Sequence, residues 1–89
     1  MTTIQRDQQI KMIFSKAYNG GKNFCTPITV ETGETETHFY EISKGRDNDD
    51  LFSNSYGVTF LSKPSHDKCL DKNKLFSSYQ DAKDYALIA

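Results

Sequence analysis

Two runs of strand-forming residues, Phe39-Tyr40-Glu41-Ile42-Ser43 and Tyr56-Gly57-Val58-Thr59-Phe60-Leu61, flank a polar, acidic segment from Lys44 to Ser55. β-Branched and aromatic side chains fit the pleated, half-buried surface of a sheet. Any fold for this chain must accommodate these two runs, and the rest reads as flanking material. In the second run Tyr56, Val58 and Phe60 share one face, with Thr59 and Leu61 opposite, because strand side chains alternate. The first run alternates less cleanly. Phe39 opposes Tyr40 and Ile42, which predicts either cover on both faces or a bulge near Phe39.

Upstream, Phe24 to Glu31 is expected as a strand, with Phe24, Ile28 and Val30 on one face. Pro27 lacks an N–H, which places this strand at an edge or starts it at Ile28. Glu31-Thr32-Gly33-Glu34 is expected to turn, and Thr35 to Ser43 to return as the next strand. Before them, Ile10, Ile13, Phe14 and Ala17 recur at helical spacing. Gln5, Arg6, Gln8, Gln9, Lys11 and Met12 are good helix formers. The same letters allow a strand over residues 4–18, since Ile10, Met12 and Phe14 alternate and Asn19-Gly20 is a hairpin signal.

Downstream, Lys63-Pro64 ends the last long strand, and Ser65 to Lys74 reads as a polar connection. Ser77-Ser78-Tyr79-Gln80 fits a capping box, with Gln80 three residues after Ser77. Ala82, Tyr85, Ala86 and Ala89 then line a narrow small-residue helix face. The fold class is α+β. The expected architecture is a three-stranded antiparallel sheet with the C-terminal helix and an N-terminal helix packed on one face, in the order αβββα. The alternative is an all-β meander with one C-terminal helix.

At 89 residues the chain forms a single domain, 1–89. Its apolar fraction of 36% is modest, and eleven aromatics, six Phe and five Tyr, supply much of the buriable surface. A net charge of −1 with bulky residues throughout argues against disorder. No apolar run is long enough to span a bilayer. The first residues lack a signal-peptide pattern, so the expected location is cytoplasmic. Cys25 and Cys69 are expected as free thiols in that compartment.

The chemistry-bearing residues form no convincing constellation. His66 and Cys69 are spaced for one half of a zinc site, but no second short-spaced pair completes it. Cys25 with His38, or Cys69 with His66, lacks the helix N-terminus or cationic cluster that activates a thiol. Asp47-Asn48-Asp49 starts like a calcium loop, without the later Gly and acid. Gly20-Gly21-Lys22 is too short for a phosphate loop. No enzyme activity, cofactor or metal is expected.

The order α-β-β-β-α is that of the double-stranded-RNA-binding domain. Ser78-Tyr79-Gln80-Asp81-Ala82-Lys83, ahead of a small-residue helix, is similar to that family's last helix. The resemblance implies a nucleic-acid-binding module as the alternative function. The family's lysine cluster at that helix start is missing: Tyr79, Gln80 and Asp81 stand there. Phosphate contacts dominate nucleic-acid affinity, so nucleic acid is not the expected partner.

Charge is unevenly distributed. Residues 31–50 hold seven of the twelve acids: Glu31, Glu34, Glu36, Glu41, Asp47, Asp49 and Asp50. On a sheet edge such charges block aggregation. They also form a face able to steer onto a basic protein surface. The expected function is a small non-enzymatic binding protein acting through a protein–protein interface. The candidate partner-binding residues are Glu34, Glu36, Asp47, Asp49 and Asp50, with Phe39 as an aromatic anchor. Small phage-encoded anti-defence proteins are similar in size and charge, which suggests an inhibitor of a host nucleic-acid-binding or defence enzyme.

Overall fold

The structure is a computed structural model that describes residues 3–17, 28–46 and 53–88. Helix α1 (Thr3–Ala17) precedes strands β1 (Ile28–Glu34), β2 (His38–Lys44) and β3 (Tyr56–Ser62). A short 3₁₀ turn (Leu70–Lys72) leads into β4 (Lys74–Phe76), and α2 (Tyr79–Ile88) closes the described chain. The α+β class holds, with residues 3–17 helical. Among the described residues the sheet has four antiparallel strands in the order β1-β2-β3-β4, rather than three. The fourth strand is Lys74-Leu75-Phe76, which pairs with Tyr56 to Val58. Three residues are too few to show a period of two, so this strand, at the end of a polar connection, leaves no periodic signal.

The helices lie on opposite faces of the sheet, a correction to their expected placement on one face. Tyr40, Ile42, Val58 and Phe60 pack with Ala82 and Ala86 of α2. Phe39 and Leu61, from the other face of the same strands, pack with Ile10 and Phe14 of α1. Phe39 pairs with Leu61 and Tyr40 with Phe60, so adjacent registers feed different cores. The uneven alternation around Phe39 therefore reflects two covered faces. The sheet's irregularity lies instead in β1, between Thr29 and Glu31. The expected helix stripe is real: Ile10 and Phe14 are buried, and Ile13 and Ala17 flank them. Burying each such side chain contributes about 1.5–3 kcal/mol.

The first turn also differs from expectation. Gly33 continues the ladder opposite Tyr40, and the chain reverses at Thr35-Glu36-Thr37, closed by the Thr35 N–H to the His38 carbonyl at 2.8 Å. Gly33 serves close packing: a Cβ there would sit 2.3 Å from Tyr40 Cζ. At α2 the cap is Ser78 rather than Ser77, its Oγ accepting from the Asp81 N–H at 3.2 Å. Strand residues 24–27, and the expected loop acids Asp47, Asp49 and Asp50, lie outside the described residues.

Candidate functional site

Three of the four acids described in residues 31–46, namely Glu31, Glu34 and Glu41, are engaged within the fold. Glu34, at the end of β1, accepts from Arg6 of α1 through both carboxylate oxygens, Nη2 to Oε1 at 2.7 Å. Lys63, just past β3, donates to the same carboxylate at 2.8 Å and to the Thr35 carbonyl at 2.6 Å. The Arg6 and Lys63 hydrogen bonds hold the Glu34 carboxyl well down, at about 2. Both cations also stand over the Phe39 ring, 5.5 Å and 4.8 Å from its centroid. Fork-shaped Arg–carboxylate pairing fixes orientation as well as charge, so this cluster clamps α1 to the β1–β2 end of the sheet.

Glu31 does the same on the opposite face. Lys83 of α2 donates to it and, at 3.0 Å, to Tyr40 Oη. Tyr79 donates its hydroxyl to Glu31 at 2.7 Å. Burial pushes the Glu31 carboxyl up, but the Lys83 and Tyr79 hydrogen bonds outweigh it and its pKa falls below the usual range. The Glu31 bond in turn raises Lys83 and Tyr79 above theirs. Glu41 is only 3% exposed and accepts from Thr29 Oγ1 at 3.0 Å.

These contacts reshape the candidate partner-binding set. Phe39 is 4% exposed, sandwiched between α1 and the sheet, and is a core residue rather than a surface anchor. Glu34 is engaged by two cations, so it offers little charge to a partner. Glu36 is exposed at the β1–β2 turn, as a docking acid would be. Two acids of this sequence run, Glu34 and Glu31, are thus matched to lysine or arginine from elsewhere, one on each face of the sheet.

A different surface emerges beside α1. A groove of about 460 Å³ runs between α1 and the loop after β3. Met12, Ile13 and Ala17 give it apolar walls, and Arg6, Lys16 and His66 contribute basic side chains. It is larger than the cavities of about 280 Å³ and 170 Å³ that adjoin Phe14. His66 forms its outer wall in the left-handed region, at φ 62°. Non-glycine residues are held there only when their surroundings fix them. Here the His66 N–H donates to the Ser62 carbonyl at 2.8 Å, and the Asp67 carbonyl accepts from the Ser62 N–H at 2.9 Å. The His66 ring stands edge-on to Phe39 at 5.4 Å.

None of the groove residues belongs to the expected binding set. Arg6 and Lys63 are 28 and 29 residues from Glu34, so their pairing has no local sequence signature. His66 was conspicuous only as a metal or nucleophile candidate. Among the described residues, no three His, Cys, Asp or Glu side chains gather as metal ligands. Cys69 is a half-buried free thiol against the α2 core, and Cys25 lies outside the described residues. No helix among the described residues is long and apolar enough to cross a membrane.

No protein-family model matches the chain, and neither a curated protein nor a solved structure matches it.

Proposed function

We propose that this chain is a small non-enzymatic binding protein that works through a protein–protein interface. The observation that supports it is the groove along α1, where apolar walls and basic side chains meet on a surface built from a helix and a tightly bonded loop. Protein interfaces combine an apolar centre with a polar rim in this way. A second reading places the contact on Glu36, Asp47, Asp49 and Asp50, an acidic face for a basic partner. A phage-type inhibitor of a host nucleic-acid-binding or defence enzyme would use such a face. The exposure of Glu36 at the β1–β2 turn favours it.

Affinity capture with the intact chain and two charge-altered variants tests the proposal. One variant carries Lys16→Glu and His66→Glu; the other carries Glu36→Lys, Asp47→Lys, Asp49→Lys and Asp50→Lys. A protein retained by the wild type and lost from one variant supports the proposal and assigns the surface. The rival is a nucleic-acid-binding module. The element order that carried its resemblance was α-β-β-β-α, whereas the described order contains a fourth strand. Retention of no protein, together with a labelled duplex RNA or DNA shifted at low salt, overturns the protein-binding reading.

A further inference from the structure

We infer that the groove along α1 receives an acidic peptide segment carrying one apolar anchor side chain. The inference rests on the protein-binding reading above and names the partner's chemistry. The groove supplies both halves of the match. Met12, 61% exposed on the outer side of α1, adjoins Ile13 and Ala17, so an apolar side chain laid there removes apolar surface on both partners. Methionine also adapts its shape to irregular occupants.

The charged side chains that line the groove among the described residues, Arg6 and Lys16, have one sign. Lys16 is exposed and forms no ion pair with a described residue, and His66 stands on the loop side. Arg6 closes one end, its Nη1 donating to Gln9 at 3.1 Å. No carboxylate lines the groove among the described residues. The acid bonded to Arg6 is Glu34, and it is shared with Lys63, so the cluster keeps a net positive charge. A partner with carboxylates on either side of its anchor would be steered in by this field, and a basic partner repelled.

The groove suits a peptide better than a nucleic acid. Backbone-tracking sites present a stripe of cations with aromatic platforms for bases. Here the walls are aliphatic, and the one exposed ring, His66, stands edge-on to Phe39. The loop that carries His66 is held by several hydrogen bonds, so docking orders little new backbone.

The test uses the intact ¹⁵N-labelled chain and three blocked ten-residue peptides. The first is Asp/Glu-rich with a single central Leu, the second replaces that Leu with Ala, and the third replaces every acid with Lys. The first peptide is expected to shift resonances of Met12, Ile13, Lys16, Ala17 and His66, and to weaken as salt rises. Binding is expected to fall about tenfold in the Lys16→Glu/His66→Glu variant. His66→Asn, which tolerates the left-handed backbone, keeps the fold and reports the ring alone. Unmoved groove resonances, equal binding of the Lys peptide, or full affinity in the double variant overturns the inference. A duplex RNA shifting the same resonances in place of the acidic peptide also overturns it. A protein still captured by the wild type in any of these cases leaves the broader protein-binding reading standing.

Discussion

Gly33 and Tyr40 face each other across β1 and β2, and the ring of one occupies the space a side chain on the other would need. Tyr40 cannot simply swing aside, because Lys83 donates to its hydroxyl and stands 5.3 Å from its ring centroid. Gly33→Ala is therefore expected to destabilise by about 1–3 kcal/mol, the usual cost of overpacking. In a Tyr40→Leu background most of that penalty should vanish. Urea midpoints for the four chains of this double-mutant cycle check it; equal penalties in both backgrounds would refute the packing explanation. Gly33 also shows why single residues mislead. In sequence, Glu-Thr-Gly-Glu has the composition of a turn, and nothing local says that a tyrosine seven positions later will lie over the glycine. Glu34 carries a second residue-scale prediction. Its folded carboxyl titrates at about 2, below the unfolded value of about 4.3. A lowered folded value means the stabilisation is complete above the unfolded value and is lost as pH falls toward 2. Glu34→Gln should lower stability at pH 7 and converge with the wild type near pH 2. A pH-independent gap between their urea midpoints would show that the ion cluster is not its source.

At the scale of elements, α2 was legible, α1 was favoured over a strand that the same letters allow, and the placement of neither was legible. Ile10, Ile13, Phe14 and Ala17 form the stripe that α1 buries, and Ala82 and Ala86 the one α2 buries. Which side of the sheet each takes depends on strand parity. Phe39 and Leu61 are odd-numbered and apolar, while Tyr40, Ile42, Val58 and Phe60 are even-numbered and apolar. A sheet covered on one face needs only one of these sets. Two sets require two covering layers, so the failed alternation around Phe39 was itself the signal for opposite faces. The approach of α2 is set by the smallness of Ala82 and Ala86, both 0% exposed. Ala86→Leu is expected to cost about 1–3 kcal/mol, since the helix would have to lift off Phe60 and Tyr40. A thermal melt at or above the wild-type midpoint would show slack in this layer. The candidate surface was less legible than the helices. Charge counted along the chain locates acids but not their partners. Arg6, Lys63 and Lys83 reach Glu34 and Glu31 across elements, converting two carboxylates of an apparent acidic face into ties that hold both helices to β1.

For the molecule as a whole, the central strands β2 and β3 serve two cores at once. Among the described residues the α2 core buries six side chains and the α1 core four, with Phe39 and Leu61 as the sheet's share of the smaller one. The layers differ in reinforcement too. The α2 side adds Tyr56, Phe76, Tyr79 and Tyr85 around its centre, and Tyr85 donates its hydroxyl to the Lys72 carbonyl at 2.6 Å. Among the described residues the α1 side has Ile10 and Phe14, flanked by Ile13 and Ala17, and the Arg6–Glu34 clamp. Unequal layers on a shared sheet predict unequal opening: α1 should release at lower free energy than the sheet and α2. Phe14→Ala removes the largest side chain that α1 contributes and should cost about 3–5 kcal/mol in that layer. Hydrogen exchange followed by mass spectrometry should then show residues 3–17 losing protection, while residues 56–62 and 79–88 remain protected. Simultaneous loss across all three segments would mean that the two cores unfold as one unit. Early release of α1 would also uncouple the groove from the sheet, since Lys16 and Met12 travel with the helix and His66 stays with the loop after β3. A partner bound across that groove would bridge the two parts and raise the free energy of α1 opening. Binding should therefore restore protection to residues 3–17 in the Phe14→Ala chain before it changes exchange anywhere in α2.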